Sequence, residues 1–106
     1  MKLRIGHLDY AILPMPEDKV RKGYIGYQDA GVPAIYIRAD EPSQEQVRTL
    51  FHELIHAMLH ADNVKDKTFT DERVCEVLES PLTRLFQDNK KLHAAIQAAF
   101  KGKPIV

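Results

Sequence analysis

The sequence predicts an α+β domain: a small antiparallel β-sheet, an N-terminal strand plus a hairpin, packed on a central helix with two to three further helices. Three observations carry this. Apolar residues alternate with polar ones between Leu3 and about Ile37, which is the strand period. From Ser43 onward they recur every three or four residues, which is the helical period. The helical stretch has His52-Glu53-Leu54-Ile55-His56 at its centre. At 106 residues and 12.1 kDa the chain is sized for one core, so residues 1–106 read as a single domain.

Each element has its own signal. Leu3, Ile5 and His7, then Tyr10, Ile12 and Met15, read as a first strand that Pro14 and Pro16 close. The β-rich runs Lys22–Tyr27 and Ala34–Arg38 flank Asp29-Ala30-Gly31-Val32-Pro33, a run of turn formers, and together make a hairpin. Ser43 followed by Gln46 is the spacing of a capping box, and Val47, Leu50, Leu54, Met58 and Ala61 follow on one helical stripe. Phe51, Ile55 and Leu59 form a second stripe, so this helix is expected to be buried on two sides. A second helix starts at Thr70 or Asp71 and carries Val74, Val77 and Leu78. Ser80-Pro81 kinks or restarts it, and Leu82, Leu85 and Phe86 continue the core face. A last helix, about Asn89 to Lys101, turns Leu92, Ala95, Ile96, Ala99 and Phe100 inward and stops at Gly102.

Composition narrows the function classes. Fifteen basic and fifteen acidic residues cancel, so no net field draws the chain to nucleic acid or to an anionic membrane, and neither partner is expected. No apolar run approaches the roughly 18 residues of a membrane span. The lone Cys75 forms no internal disulfide, and Met1-Lys2-Leu3-Arg4 is not followed by an apolar signal segment, so the expected compartment is the cytoplasm. Nothing in the sequence fixes an oligomeric state.

The chemistry lies in His52-Glu53-Leu54-Ile55-His56, an HExxH sequence. Residues four apart lie one turn apart on the same helix face, so both imidazoles reach one zinc ion at about 2.0–2.1 Å. Glu53 is rotated about 100° from His52, which aims its carboxylate at a water on the metal rather than at the metal; it reads as the general base. With five His and seven Glu in 106 residues the motif arises by chance in about 1.5% of such chains.

A catalytic zinc needs a third protein ligand and one open position. Asp62 stands where a longer HExxHxxGxxH arrangement has its last ligand, but Leu59 occupies the glycine position, and a continuing helix carries Asp62 away. His60 lies about 12 Å along the axis from His52, beyond reach of the same ion, and fits a helix-end or outer-shell role. The next helix offers Glu72 and Glu76, on one face beside the apolar stripe. Cys75, between Val74 and Val77, reads first as a small buried hydrophobe.

His52-Glu53-Leu54-Ile55-His56-Ala57-Met58, preceded by Arg48-Thr49-Leu50-Phe51 and followed by Glu72-Arg73-Val74-Cys75-Glu76, resembles the gluzincin metallopeptidases. It looks most like the small ImmA/IrrE-type proteins of phages and mobile elements. In that pattern the third ligand is the first glutamate of an ExxAD or ExxAN segment on the following helix. The resemblance therefore implies a minimal zincin-like fold, with His52, His56 and Glu72 as zinc ligands, Glu53 as base, and Glu76 orienting a histidine from behind. Cys75 stands where the pattern has alanine, Glu76 where it has Asp or Asn, and 15 residues separate His56 from Glu72.

The expected function is thus zinc-dependent peptide hydrolysis on a specific protein or peptide partner, in a bacterial or phage-infected cell. The alternative is a zinc-binding regulatory or interaction module with little or no turnover. Tyr24, Tyr27, Tyr36, Arg38 and His93 are all possible donors to the carbonyl oxygen during attack, and the sequence does not choose among them. The strand Ile35 to Arg38 is expected to be the sheet edge that holds an extended substrate.

Overall fold

The computed structural model describes residues 1–29, 31–61 and 70–106. Its elements run β1 (Lys2–Ile5), β2 (Leu8–Pro14), α1 (Glu17–Arg21), β3 (Gly26–Asp29), β4 (Ala34–Ile37), α2 (Ser43–Ala61), α3 (Asp71–Asp88) and α4 (Leu92–Phe100). The α+β class holds. What was expected as one N-terminal strand is a hairpin, with Leu3 opposite Tyr10 and Ile5 opposite Leu8. The reason is visible in the residues. The apolar positions change parity between Ile5 and Tyr10, and Gly6, at φ 62°, supplies the left-handed turn residue between them.

The sheet order is β1-β2-β4-β3, and β2 pairs with β4 in parallel, so the sheet is mixed rather than wholly antiparallel. The expected hairpin is β3–β4, closed by Asp29, whose Oδ1 accepts from the amides of Gly31 (3.0 Å) and Val32 (3.3 Å). This topology makes β4 an interior strand. The free edge beside it is β3, so Ile35–Arg38 is not the sheet edge it was expected to be.

One face of the sheet presents Leu3, Ile5, Tyr10, Ile12, Ile35 and Ile37 to Val47, Leu50, Leu54, Ala57 and Met58 of α2, and this is the core. The other face carries a row of Leu13, Tyr36 and Tyr27 in register, with the two tyrosine rings stacked at 4.5 Å. Helix α3 packs on β1 and α2, and α4 packs on α2. Asn89, just past α3, fastens that helix to β1: it accepts from the Arg4 amide at 2.7 Å and donates to the Arg4 carbonyl at 3.0 Å.

Several expectations are corrected here. Ser43 and Gln46 do not form a capping box. The Ser43 hydroxyl donates to the Ala99 carbonyl of α4 at 2.7 Å. Gln46 is fully buried: its Oε1 accepts from the amides of Ile105 (2.8 Å) and Val106 (3.1 Å), and its Nε2 donates to the carbonyls of Glu41 (3.2 Å) and Ala39 (3.4 Å). Both side chains lie in an interface, where tertiary partners win over the local bond. The second stripe of α2 is only half realised, since Ile55 is 40% exposed. On α3, Val77 and Leu85 are buried, but Val74, Leu82 and Phe86 are 39–43% exposed and Cys75 is exposed, because the contact with β1 and α2 covers a narrower face than the periodicity suggested. Phe100 is likewise exposed. Helix α3 begins as expected, with the Thr70 hydroxyl accepting from the Arg73 amide at 3.2 Å, and it runs through Pro81 without ending. Among the described residues no helix is long and apolar enough to cross a membrane.

Candidate functional site

Helix α2 sets the site because it is fixed to the sheet on one side only. Leu50, Leu54 and Ala57 face inward and are fully buried, which turns His52 and His56 outward. Their Nε2 atoms lie 3.2 Å apart, with the rings at 72° to each other. Two nitrogens held at 2.0–2.1 Å in a tetrahedral zinc site are about 3.3 Å apart. Their separation is thus the one that two imidazoles on a single tetrahedral zinc would need.

Glu53 points into the angle between helix and sheet and is only 7% exposed. No described residue forms a hydrogen bond or ion pair with its carboxylate. Strand β3 is what covers it. A Cβ placed on Gly26 would stand 2.6 Å from Thr49 Cγ2 and 3.3 Å from Glu53 Cγ, so the edge strand touches α2 at a residue that must be glycine. Gly26 is the close-approach point of the site.

An open cleft of about 560 Å³ lies over His52 and Glu53. One wall is the chain entering β3, with Gly23, Tyr24, Ile25 and Gly26; the other is the start of α2, with Glu45, Arg48 and Thr49, and Glu41 from the preceding loop also lines it. The sequence reading missed this wall, although Gly23 before the strand and Gly26 at its start were a signal for backbone approaching something closely.

The remaining sequence-predicted residues lie as follows. His60 is exposed in the last turn of α2. Asp62 lies outside the described residues. Glu72 is exposed in the first turn of α3, and Glu76 pairs at 3.7 Å with the Arg73 guanidinium. Among the described residues no three His, Cys, Asp or Glu side chains stand together as a metal-holding group, so the histidine pair is assembled here and Glu72 is not joined to it. Of the five possible carbonyl donors, Arg38 is held by Asp40 through two bonds of 2.9 and 2.6 Å. That contact raises the guanidinium's pKa and holds the Asp40 carboxyl below its ordinary value. Tyr27 and Tyr36 face away from α2, since Gly26 faces it and neighbouring strand residues alternate. His93 lies on α4 beside Gln97. Tyr24 lines the cleft, with its ring 6.0 Å from that of Tyr27 and the Lys19 ammonium 5.5 Å above it.

Residues 7–79 match the family model of the IrrE N-terminal-like domain, Peptidase_M78. No curated protein matches the chain, and no solved structure does.

Proposed function

The chain belongs to the IrrE N-terminal-like family of M78 peptidases, and from that premise we propose that it hydrolyses a peptide bond with zinc, on a protein or peptide partner. The observation that carries this reading is the buried Glu53, unpartnered among the described residues, directly beside a pair of imidazoles spaced as zinc ligands. His52 and His56 hold the metal, and Glu72, the carboxylate that matches the family pattern, is its third ligand. Zinc in such a site polarises the substrate carbonyl and acidifies a water.

The protein's own part is positioning and proton transfer. Glu53, nearly buried with Gly26 close against its side chain, takes the proton from the attacking water and returns it to the leaving amine. The edge strand β3 offers unpaired backbone groups beside the cleft, and an extended substrate adds to the sheet there. A chain of this size has few subsites, so turnover is expected on a specific partner rather than on generic peptides.

The test is Glu53→Gln in the zinc-loaded protein. The variant keeps its zinc and loses cleavage of a co-expressed substrate, followed by mass spectrometry of the fragments. If it loses zinc while remaining folded, Glu53 is a ligand and not the base. If wild type and Glu53→Gln behave alike in cleavage and in cellular effect, while His52→Ala abolishes the effect, the protein is instead a zinc-binding regulatory module.

A further inference from the structure

We propose that the cleft beside His52 is a recognition pocket for a basic side chain, lysine or arginine, next to the bond that is cut. This rests on the hydrolytic reading above and adds the chemical class of the substrate. The pocket is built rather than incidental. Glu41, which also lines it, belongs to the loop that the buried Gln46 fixes through the Glu41 carbonyl at 3.2 Å. Glu45 stands on the first turn of α2, and the side wall is apolar, from Tyr24 and Ile25. An apolar flank together with carboxylates suits a long aliphatic stem with a cationic head.

A second observation is independent of the carboxylates. Thr49 lies between them and Glu53, is 9% exposed, lines the cleft, and has no hydrogen-bond partner among the described residues. Its hydroxyl is not sealed from water, so a polar guest in the cleft can take the place of that water at this wall. Distance agrees. Glu45 and His52 are seven residues apart on α2, about 10 Å along the axis. One residue of extended chain, about 3.5 Å, plus a lysine or arginine side chain spans that gap.

Arg48 is the one Lys or Arg among the described cleft residues. Its side chain is 85% exposed and its guanidinium lies 4.0 Å from Glu45, a solvated pair weak enough for an incoming cation to displace.

The test reads the pocket without turnover. Zinc-loaded protein is titrated calorimetrically with Nα-acetyl-lysine hydroxamate and with its norleucine counterpart, which has a similar stem and no ammonium. The lysine compound is expected to bind about tenfold tighter at low salt, and Glu41→Lys combined with Glu45→Lys abolishes or reverses that ratio. Equal affinities in the wild type overturn the proposal, as does an unchanged ratio in the double variant. A parallel digestion of an internally quenched octapeptide library gives the same ranking, with Lys or Arg favoured beside the cut. If Glu53→Gln digests the library as the wild type does while the affinity ratio stands, it is the hydrolytic mechanism that fails and not the pocket.

Discussion

The two stretches expected to supply the metal ligands are held very differently. The face of α2 that carries Gln46, Thr49, Leu50, Glu53 and Leu54 is pressed against sheet, loop and C-terminal residues, and every one of these side chains is buried. The first turn of α3, with Glu72, Val74, Cys75 and Glu76, is exposed, and its Glu76 is engaged with Arg73. The histidine pair and base are thus set by the same contacts that fold the protein. Completing the site depends on a turn that presents its side chains to solvent.

This contrast can be broken most directly at zinc. If the exposed turn supplies the third ligand, Glu72→Ala weakens zinc binding by more than about 100-fold, and Glu76→Ala by less than about tenfold, the scale of a supporting contact. Competition with a chromogenic chelator measures both. A reversed order would move the second half of the site off Glu72.

The same contrast is sharpened by stability. Removing the Gln46 side chain strands two amides and two carbonyls and is expected to cost about 3 kcal/mol in urea denaturation, whereas Glu76→Ala on the exposed turn costs less than about 0.5 kcal/mol. Equal losses would mean that α3 is held as firmly as α2. Gly26→Ala comes next, at about 1–3 kcal/mol, since the new methyl falls 2.6 Å from Thr49 Cγ2. Thr49→Ser deletes that methyl group and should restore part of the loss; failure to do so would place the strain elsewhere.

The smallest effect separates two polar groups within the buried half. Gln46 is fully bonded, but the Tyr10 hydroxyl is buried without a partner among the described residues. Tyr10→Phe should therefore be neutral or stabilising by up to about 1 kcal/mol. Burial also raises the Tyr10 pKa above its ordinary 10.0. The unfolded chain ionises first, so wild-type stability falls as pH rises from there upward, and this contribution disappears in the Phe variant. A clearly destabilised variant would reveal a partner for the hydroxyl.

What the sequence revealed follows the range of each interaction. The HExxH helix, the Thr70 cap and the β3–β4 turn are encoded within four or five residues, and all three were legible. The break at Gly6 was present as a change of parity but was read through. The parallel pairing of β2 with β4, the interior position of β4 and the partners of Gln46 join residues far apart in the chain, and local periodicity does not record them. At the site, the histidine spacing was legible because one helix sets it. The cleft was not, because its second wall arrives from β3.

The Gln46 contacts also bear on the order of events in folding. They join positions 59 and 60 residues apart, so the helix that bears the histidines is synthesised, and free to coil, long before Ile105 and Val106 exist. Closing a loop of that span adds little to its entropic cost compared with a shorter one, but contacts so far apart in sequence slow folding more than local ones do. An interaction absent from the transition state governs how fast the native protein opens, not how fast it closes. A Gln46→Ala variant that unfolds faster but folds at an unchanged rate would place these contacts after the transition state, and with them the residence time of His52, Glu53 and His56 in this arrangement.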